Sequence, residues 1–140
     1  MIRLIRDEDY YKGYLELINV FTRSPESKSF EEFCQTLQII QSQQAEIYVI
    51  ETDNKIIASI HLLFEQKLHN NFKKVCHIED VVTHPEYRNQ GYASQLLAFA
   101  AKRASETNCY KVVLTANLDK ADFYRKNGFL EKGIELCKYL

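Results

Sequence analysis

The chain has 140 residues, 46% of them hydrophobic, no tryptophan and a net charge of −1. That length supports one domain with a real core, expected to span residues 1–140, and is too short for two. The near-neutral balance gives no electrostatic case for nucleic acid. The longest apolar run, Leu96 to Ala101, is far too short to span a bilayer, so a soluble, cytoplasmic protein without a membrane partner is expected.

From the N-terminus, Ile2 to Ile5 reads as a first strand and Asp7 onward as a helix reaching about Phe21. Thr22 to Lys28, with Ser24-Pro25, is a loop. Ser29-Phe30-Glu31-Glu32 is a capping-box pattern, which predicts a second helix from Phe30 to about Ser42. Ile47 to Glu51, the turn at Asp53-Asn54, and Lys55 to about Glu65 form a β-hairpin pattern. Asn70 to Lys74 turns into a strand from Val75 to Thr83, which Pro85 stops. A third helix runs from Ser94 to Glu106, then a strand from Tyr110 to Ala116, a helix near Lys120 to Lys126, and a last strand from Phe129 to about Tyr139. The order βααβββαβαβ predicts an α/β fold with a mixed central sheet flanked by helices.

The four cysteines, Cys34, Cys76, Cys109 and Cys137, show no C-x-x-C spacing, and the histidines at 61, 69, 77 and 84 form no H-E-x-x-H pair. Reduced thiols and no metal site are expected. The residues entering the third helix are more informative. Gly91 and the small Ala93 precede Leu96, Leu97, Ala100 and Ala104, which recur at helical spacing. A glycine turn entering a helix offers free backbone N–H groups at the positive end of the helix dipole, a setting suited to a pyrophosphate. Neither G-x-G-x-x-G nor G-x-x-x-x-G-K-[ST] is present, so dinucleotide and nucleoside-triphosphate readings are weak.

The run Arg88-Asn89-Gln90-Gly91-Tyr92-Ala93 after an apolar strand resembles the acetyl-CoA signature of the Gcn5-related N-acetyltransferase superfamily. The aromatic pair Phe123-Tyr124 followed by Gly128-Phe129 resembles its second signature. Within that superfamily, His77-Ile78-Glu79-Asp80-Val81, Cys109-Tyr110-Lys111 and Phe123-Tyr124 resemble the glucosamine-6-phosphate N-acetyltransferase family. The resemblance is ungapped from Lys67 to the C-terminus and loose before it, where Thr22 is its one anchor. It implies the Gcn5-related N-acetyltransferase fold, acetyl-CoA as co-substrate, an amino-sugar phosphate as acceptor, and a place in UDP-N-acetylglucosamine biosynthesis.

Acyl transfer to an amine needs a neutral nucleophile, a polarised thioester carbonyl and a proton for the departing thiolate. The resemblance implies that the backbone of Val81, Val82 and Thr83 meets the pantetheine arm where the fourth and fifth strands splay. It places the pyrophosphate on Arg88 to Ala93 and Ser94, and further coenzyme contacts on Tyr124, Arg125 and Lys126. Tyr124 is assigned to the leaving thiolate. Glu79 is assigned to orienting or deprotonating the amine, directly or through a water, and Asp80 to the sugar hydroxyls; the division between the two acids stays open. On a regular strand Glu79 and Asp80 point to opposite faces, so they act as a pair only if a bulge intervenes.

Acceptor contacts implied by the resemblance are Thr22, Lys67, Leu68, His69, Asn70, Glu79, Asp80, Tyr110, Lys111, Thr115 and Tyr139. Asn70 stands where a basic residue is expected and Tyr139 where an arginine is common; Lys67, His69, Lys73, Lys74 and Lys138 are candidates to replace the lost charge. Ser94 and Leu118 also depart from the pattern, at positions expected to tune coenzyme affinity. The family further implies a homodimer with shared active sites, the segment Lys67 to Lys74 of one subunit reaching the cleft of the other. Two other readings stand beside this one: an acetyltransferase for another amine (a polyamine, an aminoglycoside or a protein amine), and a non-catalytic acyl-CoA-binding module.

Overall fold

The computed structural model describes residues 1–140. Its centre is one sheet of five strands, β1 (Ile2–Leu4), β2 (Ala45–Thr52), β3 (Lys55–Gln66), β4 (Lys74–Thr83) and β5 (Cys109–Val113), lying side by side in chain order. β1 to β4 pair antiparallel and β5 joins β4 in parallel. The parallel step requires a crossover, which α3 (Tyr92–Glu106) supplies. The β2–β3 hairpin closes through Asp53 and Asn54, both at positive φ (49° and 60°), a conformation those two residue types tolerate.

Each face of the sheet buries a separate apolar cluster. Side chains alternate along a strand, so Tyr48 and Ile50 of β2 face one helix layer while Ile47 and Val49 face the other. Leu96, Leu97, Ala100 and Ala104 of α3 pack against the first face, along with Ile60, Leu62 and Ile78. Tyr14 and Leu17 of α1 (Tyr14–Ile18) and Phe33 and Leu37 of α2 (Phe30–Ser42) cover the second. The capping box that predicts α2 is present: the Ser29 hydroxyl accepts from the Glu32 N–H at 3.1 Å and the Glu32 carboxylate accepts from the Ser29 N–H at 2.7 Å.

An ionic cluster pins the N-terminal segment to β2. Asp9 is fully buried and accepts two hydrogen bonds from the Arg3 guanidinium at 2.8 Å and one from the Arg6 N–H at 2.9 Å. Arg3 also donates to Glu51, which accepts from Lys12 at 2.8 Å.

Two elements differ from the sequence expectation. The single helix from Asp7 to about Phe21 is broken into a 3-10 turn (Asp7–Lys12), α1 and a second 3-10 turn (Asn19–Phe21). The break is Gly13, at φ 81° and ψ 20°, which a right-handed helix cannot contain. The final strand, Phe129 to Tyr139, is not formed: after α4 (Ala121–Lys126) the chain turns at Gly128 and continues without helix or strand. A strand takes its hydrogen bonds from a neighbour. Beyond the Phe129 N–H, which donates to the Tyr124 carbonyl, the backbone of this tail makes none. Smaller shifts occur at element ends: α3 begins at Tyr92 rather than Ser94, and β5 stops at Val113 rather than Ala116.

Candidate active site

The functional centre starts at an irregularity in β4. Across the β3–β4 pair, Ser59 faces Val82 and His61 faces Glu79, so Ile60 alone is opposed by both Asp80 and Val81. This is a β-bulge, and Asp80 sits in it at φ 50°. The bulge changes the facing: Ile78 and Val81 both pack on the α3 side, although three residues apart, and Val82 packs on the other. The alternation that separates Glu79 from Asp80 on a regular strand is thus interrupted at the point where the two acids lie. Both are exposed, and Asp80 lines a pocket of about 190 Å³ between the sheet and α1–α2, beside Tyr14, Ile18, Phe33 and His61.

The same strand opens a cleft on its other edge. β4 and β5 pair only from Lys74 opposite Cys109 to His77 opposite Val113. Beyond His77 the strands part, leaving Ile78 to Thr83 of β4 without a strand on that side. The cleft leads to the turn before α3. The Arg88 Nε donates to the Thr83 carbonyl at 3.2 Å, tying the turn to the end of β4. Asn89 (φ 61°) and Gly91 (φ 85°) are both left-handed, and beyond the adjoining backbone no protein atom lies within 4 Å of where a Gly91 side chain would begin. The N–H groups from Asn89 to Ser94 make no backbone bond outside the helix, and those opening α3 have no partner within it. The Thr83 hydroxyl is buried without a hydrogen-bond partner. Open space, free donors and an orphaned hydroxyl fit an anionic ligand with an extended amide arm.

Tyr124, on α4, is half-buried against the α3-side core, with its ring centroid 5.1 Å from Phe123 and 5.9 Å from Phe129. Burial pushes its phenol above the usual range, so the group stays protonated at neutral pH. Its hydroxyl has no protein partner and is free to donate to a ligand. Arg125 is committed elsewhere, to Asp122 and Glu131, while Lys126 is exposed and unpaired.

The expected acceptor residues are dispersed within the single chain. Lys67 pairs with Glu65, which also meets His77 at 3.3 Å. Leu68 is exposed, and the His69 and Asn70 side chains contact one another at 2.7 Å. Asn70, Asn71 and Phe72 are three consecutive left-handed residues closing the β3–β4 loop. The His69 ring lies edge-on to Tyr110 at 6.2 Å, and the Lys111 ammonium sits 5.5 Å from the Tyr110 centroid, so this loop and the start of β5 form one surface. Thr22 and Thr115 are exposed at loop positions, and Tyr139 is 93% exposed in the unpaired tail. The sequence reading missed Tyr14, Ser59 and His61, which surround Asp80. Only the strand register, with His61 directly across from Glu79, reveals that placement.

Residues 8–129 match the model of the acetyltransferase (GNAT) family. The chain is 33% identical to glucosamine 6-phosphate N-acetyltransferase of Arabidopsis thaliana, over 99% of this chain and 95% of that protein. It is 31% identical to the enzyme of the same name from Candida albicans, over 98% and 94%. A crystal structure of the Arabidopsis thaliana glucosamine-6-phosphate N-acetyltransferase superposes with a TM-score of 0.93 at 32% identity, covering 99% of this chain and 97% of that one.

Proposed function

The chain belongs to the acetyltransferase (GNAT) family, and from that premise we propose that it transfers the acetyl group of acetyl-CoA to the amine of D-glucosamine 6-phosphate. The product is N-acetyl-D-glucosamine 6-phosphate, on the route to UDP-N-acetylglucosamine. The observation that carries the reading is the free edge of β4 running straight into the turn of unpaired N–H groups before α3, flanked by two acids at a bulge and a protonated phenol. The names of the curated relatives supply the acceptor.

In this reading the amides of Val81, Val82 and Thr83 hold the pantetheine arm, and Arg88, Asn89, Gln90, Gly91, Tyr92, Ala93 and Ser94 hold the pyrophosphate, with Lys126 nearby. The acceptor nitrogen attacks the thioester carbonyl carbon directly. A C–N bond forms, the C–S bond breaks, Glu79 takes the proton lost by the amine, and Tyr124 gives one to the departing sulfur. Asp80 binds sugar hydroxyls. No covalent enzyme intermediate is needed, and no group of three or more potential metal ligands is present.

The test is thiol release from acetyl-CoA with a panel of amines: glucosamine 6-phosphate, unphosphorylated glucosamine, spermidine and a lysine peptide. Release should be fast with the sugar phosphate and at least about 10-fold slower, in kcat/KM, with each of the others, because in the proposed shared site the basic residues of Lys67 to Lys74 would meet a phosphate that the other amines lack. Faster release with another amine would transfer the protein to a different acceptor. Coenzyme binding with no release from any amine would make it a binding module.

We further propose a cytoplasmic homodimer with shared sites, in which Lys67 to Lys74 of one subunit meets the cleft of the other. The support is the tail: Leu130, Ile134, Leu136 and Tyr139 are each at least 80% exposed, as is Leu68, with Phe72 also exposed in the β3–β4 loop. Such side chains in a strand-patterned segment, beside a sheet whose β5 edge is unpaired, fit strand addition to a second copy, which would bring Tyr139 to a site. Substituting Ile134→Asp together with Leu136→Asp leaves the isolated subunit almost untouched, within about 0.5 kcal/mol, because neither side chain is buried there. Sedimentation should then show a monomer where the parent chain is a dimer; a dimer of unchanged strength removes the tail from the interface.

A further inference from the structure

The geometry points to His61 as a positioning residue for Asp80, and therefore for the acceptor amino sugar. The inference rests on the proposed reading in which Asp80 grips that substrate.

The β4 bulge places Asp80 on the diagonal between Ser59 and His61 of β3. Its backbone is held at φ 50°, but its side chain is 48% exposed and accepts no hydrogen bond from the protein. A carboxylate in that state samples several rotamers, and ordering it is a cost to substrate binding. His61 is the one cationic or ring-nitrogen group within reach. It is 22% exposed, and its Nδ1 lies 3.8 Å from the Asp80 Oδ2. That distance exceeds a direct hydrogen bond and suits a charge pair, a bridging water or closure by a small rotation when substrate arrives.

The setting makes the pair matter more than a surface contact. The pocket that both residues line is otherwise apolar apart from Tyr14 and Thr36. Tyr14 is buried, and its phenol is pushed up to about 12, first by burial and further by the charges of Asp80 and Asp9, against the opposing contact of the Ser59 hydroxyl. It stays a neutral donor. The Ser59 hydroxyl that makes this contact is 1% exposed, so the polar groups near Asp80 on this face of β3 are buried. His61 is the member of this group that faces Asp80 from the neighbouring strand, and from there it selects which way the carboxylate points.

The experiment compares His61→Leu, His61→Asn and Asp80→Asn, with His61→Leu repeated in the Asp80→Asn background. Asn keeps an amide nitrogen near the place of Nδ1, whereas Leu keeps only bulk. His61→Leu should lower kcat/KM for glucosamine 6-phosphate on the order of 10-fold, with the KM for acetyl-CoA unchanged. His61→Asn should recover to within about 3-fold of the parent, and in the Asp80→Asn background His61→Leu should have no further effect. Equal loss in the Leu and Asn variants, or a full loss persisting without the Asp80 charge, would overturn the role of His61. If Asp80→Asn leaves the kinetics unchanged, the assignment of Asp80 itself fails, and the positioning role with it.

Discussion

Replacing Tyr124 with Phe lowers kcat on the order of 10²-fold while leaving the dissociation constant for acetyl-CoA nearly unchanged. The expectation follows from how the residue is held. The ring packs between Phe123 and Phe129, contacts that Phe preserves, and the hydroxyl makes no bond to the protein whose loss would unsettle α4. What disappears, in the proposed mechanism, is the proton offered to the thiolate. Burial raises the phenol above its ordinary value of 10.0, so the acid form persists throughout the neutral range. Activity of the parent should fall at high pH only as that raised value is approached, and the Phe variant should lack this limb. Rapid-mixing turnover across pH and equilibrium binding of acetyl-CoA check both halves. An unchanged kcat would remove Tyr124 from the chemistry.

The largest effect on stability is expected at Arg3. Changing it to Met leaves the Asp9 carboxylate, fully buried, with the Arg6 N–H as its remaining donor. Removing one partner of a buried ion pair costs about 3–5 kcal/mol, because the other charge is left uncompensated. Urea unfolding of Arg3→Met should show that loss as a lowered midpoint at an unchanged slope, and a shift below about 1 kcal/mol would mean that water reaches Asp9. Asp9→Asn, which removes the charge with little change of shape, should be the milder substitution. The same cluster sets an acid limit. Hydrogen bonds from Arg3, then Lys12, hold the Glu51 carboxyl at about 2 against an ordinary 4.5. Its contribution is therefore present above about pH 4.5 and is lost as pH falls toward 2. Arg3→Met should flatten that part of the stability profile.

Local chemistry makes much of this molecule readable in its sequence. The Ser29 and Glu32 caps, the Asp53-Asn54 turn and the apolar spacing of α3 each act within a few residues, and each stands where it was expected. The glycine turn into α3 is legible for the same reason, whereas the pattern from Arg88 to Ala93 and the aromatic pair at Phe123-Tyr124 are singled out by the family resemblance. Features that depend on pairing between distant segments are not legible. The bulge at Asp80 exists only in the register of β3 against β4, and His61 belongs to the site only through that register. Gly13 was visible in the sequence, but whether it interrupts a helix or sits quietly inside one is decided by packing on both sides. The tail from Phe129 carries strand-like side chains with no strand, since no neighbouring strand of the chain takes up its backbone hydrogen bonds.

The bulge in β4 also constrains how this protein can change over time. The extra residue is absorbed locally: Ile78 and Val81 share one core although three residues apart, Val82 points to the other, and the ladder resumes at Val82 opposite Ser59. Losing a single residue between Ile78 and Thr83 would restore plain alternation and erase the bulge, and with it the interrupted alternation at which Glu79 and Asp80 lie. Apart from Glu79 and Asp80, substitutions along this stretch should be accommodated in many forms, but its length should not vary.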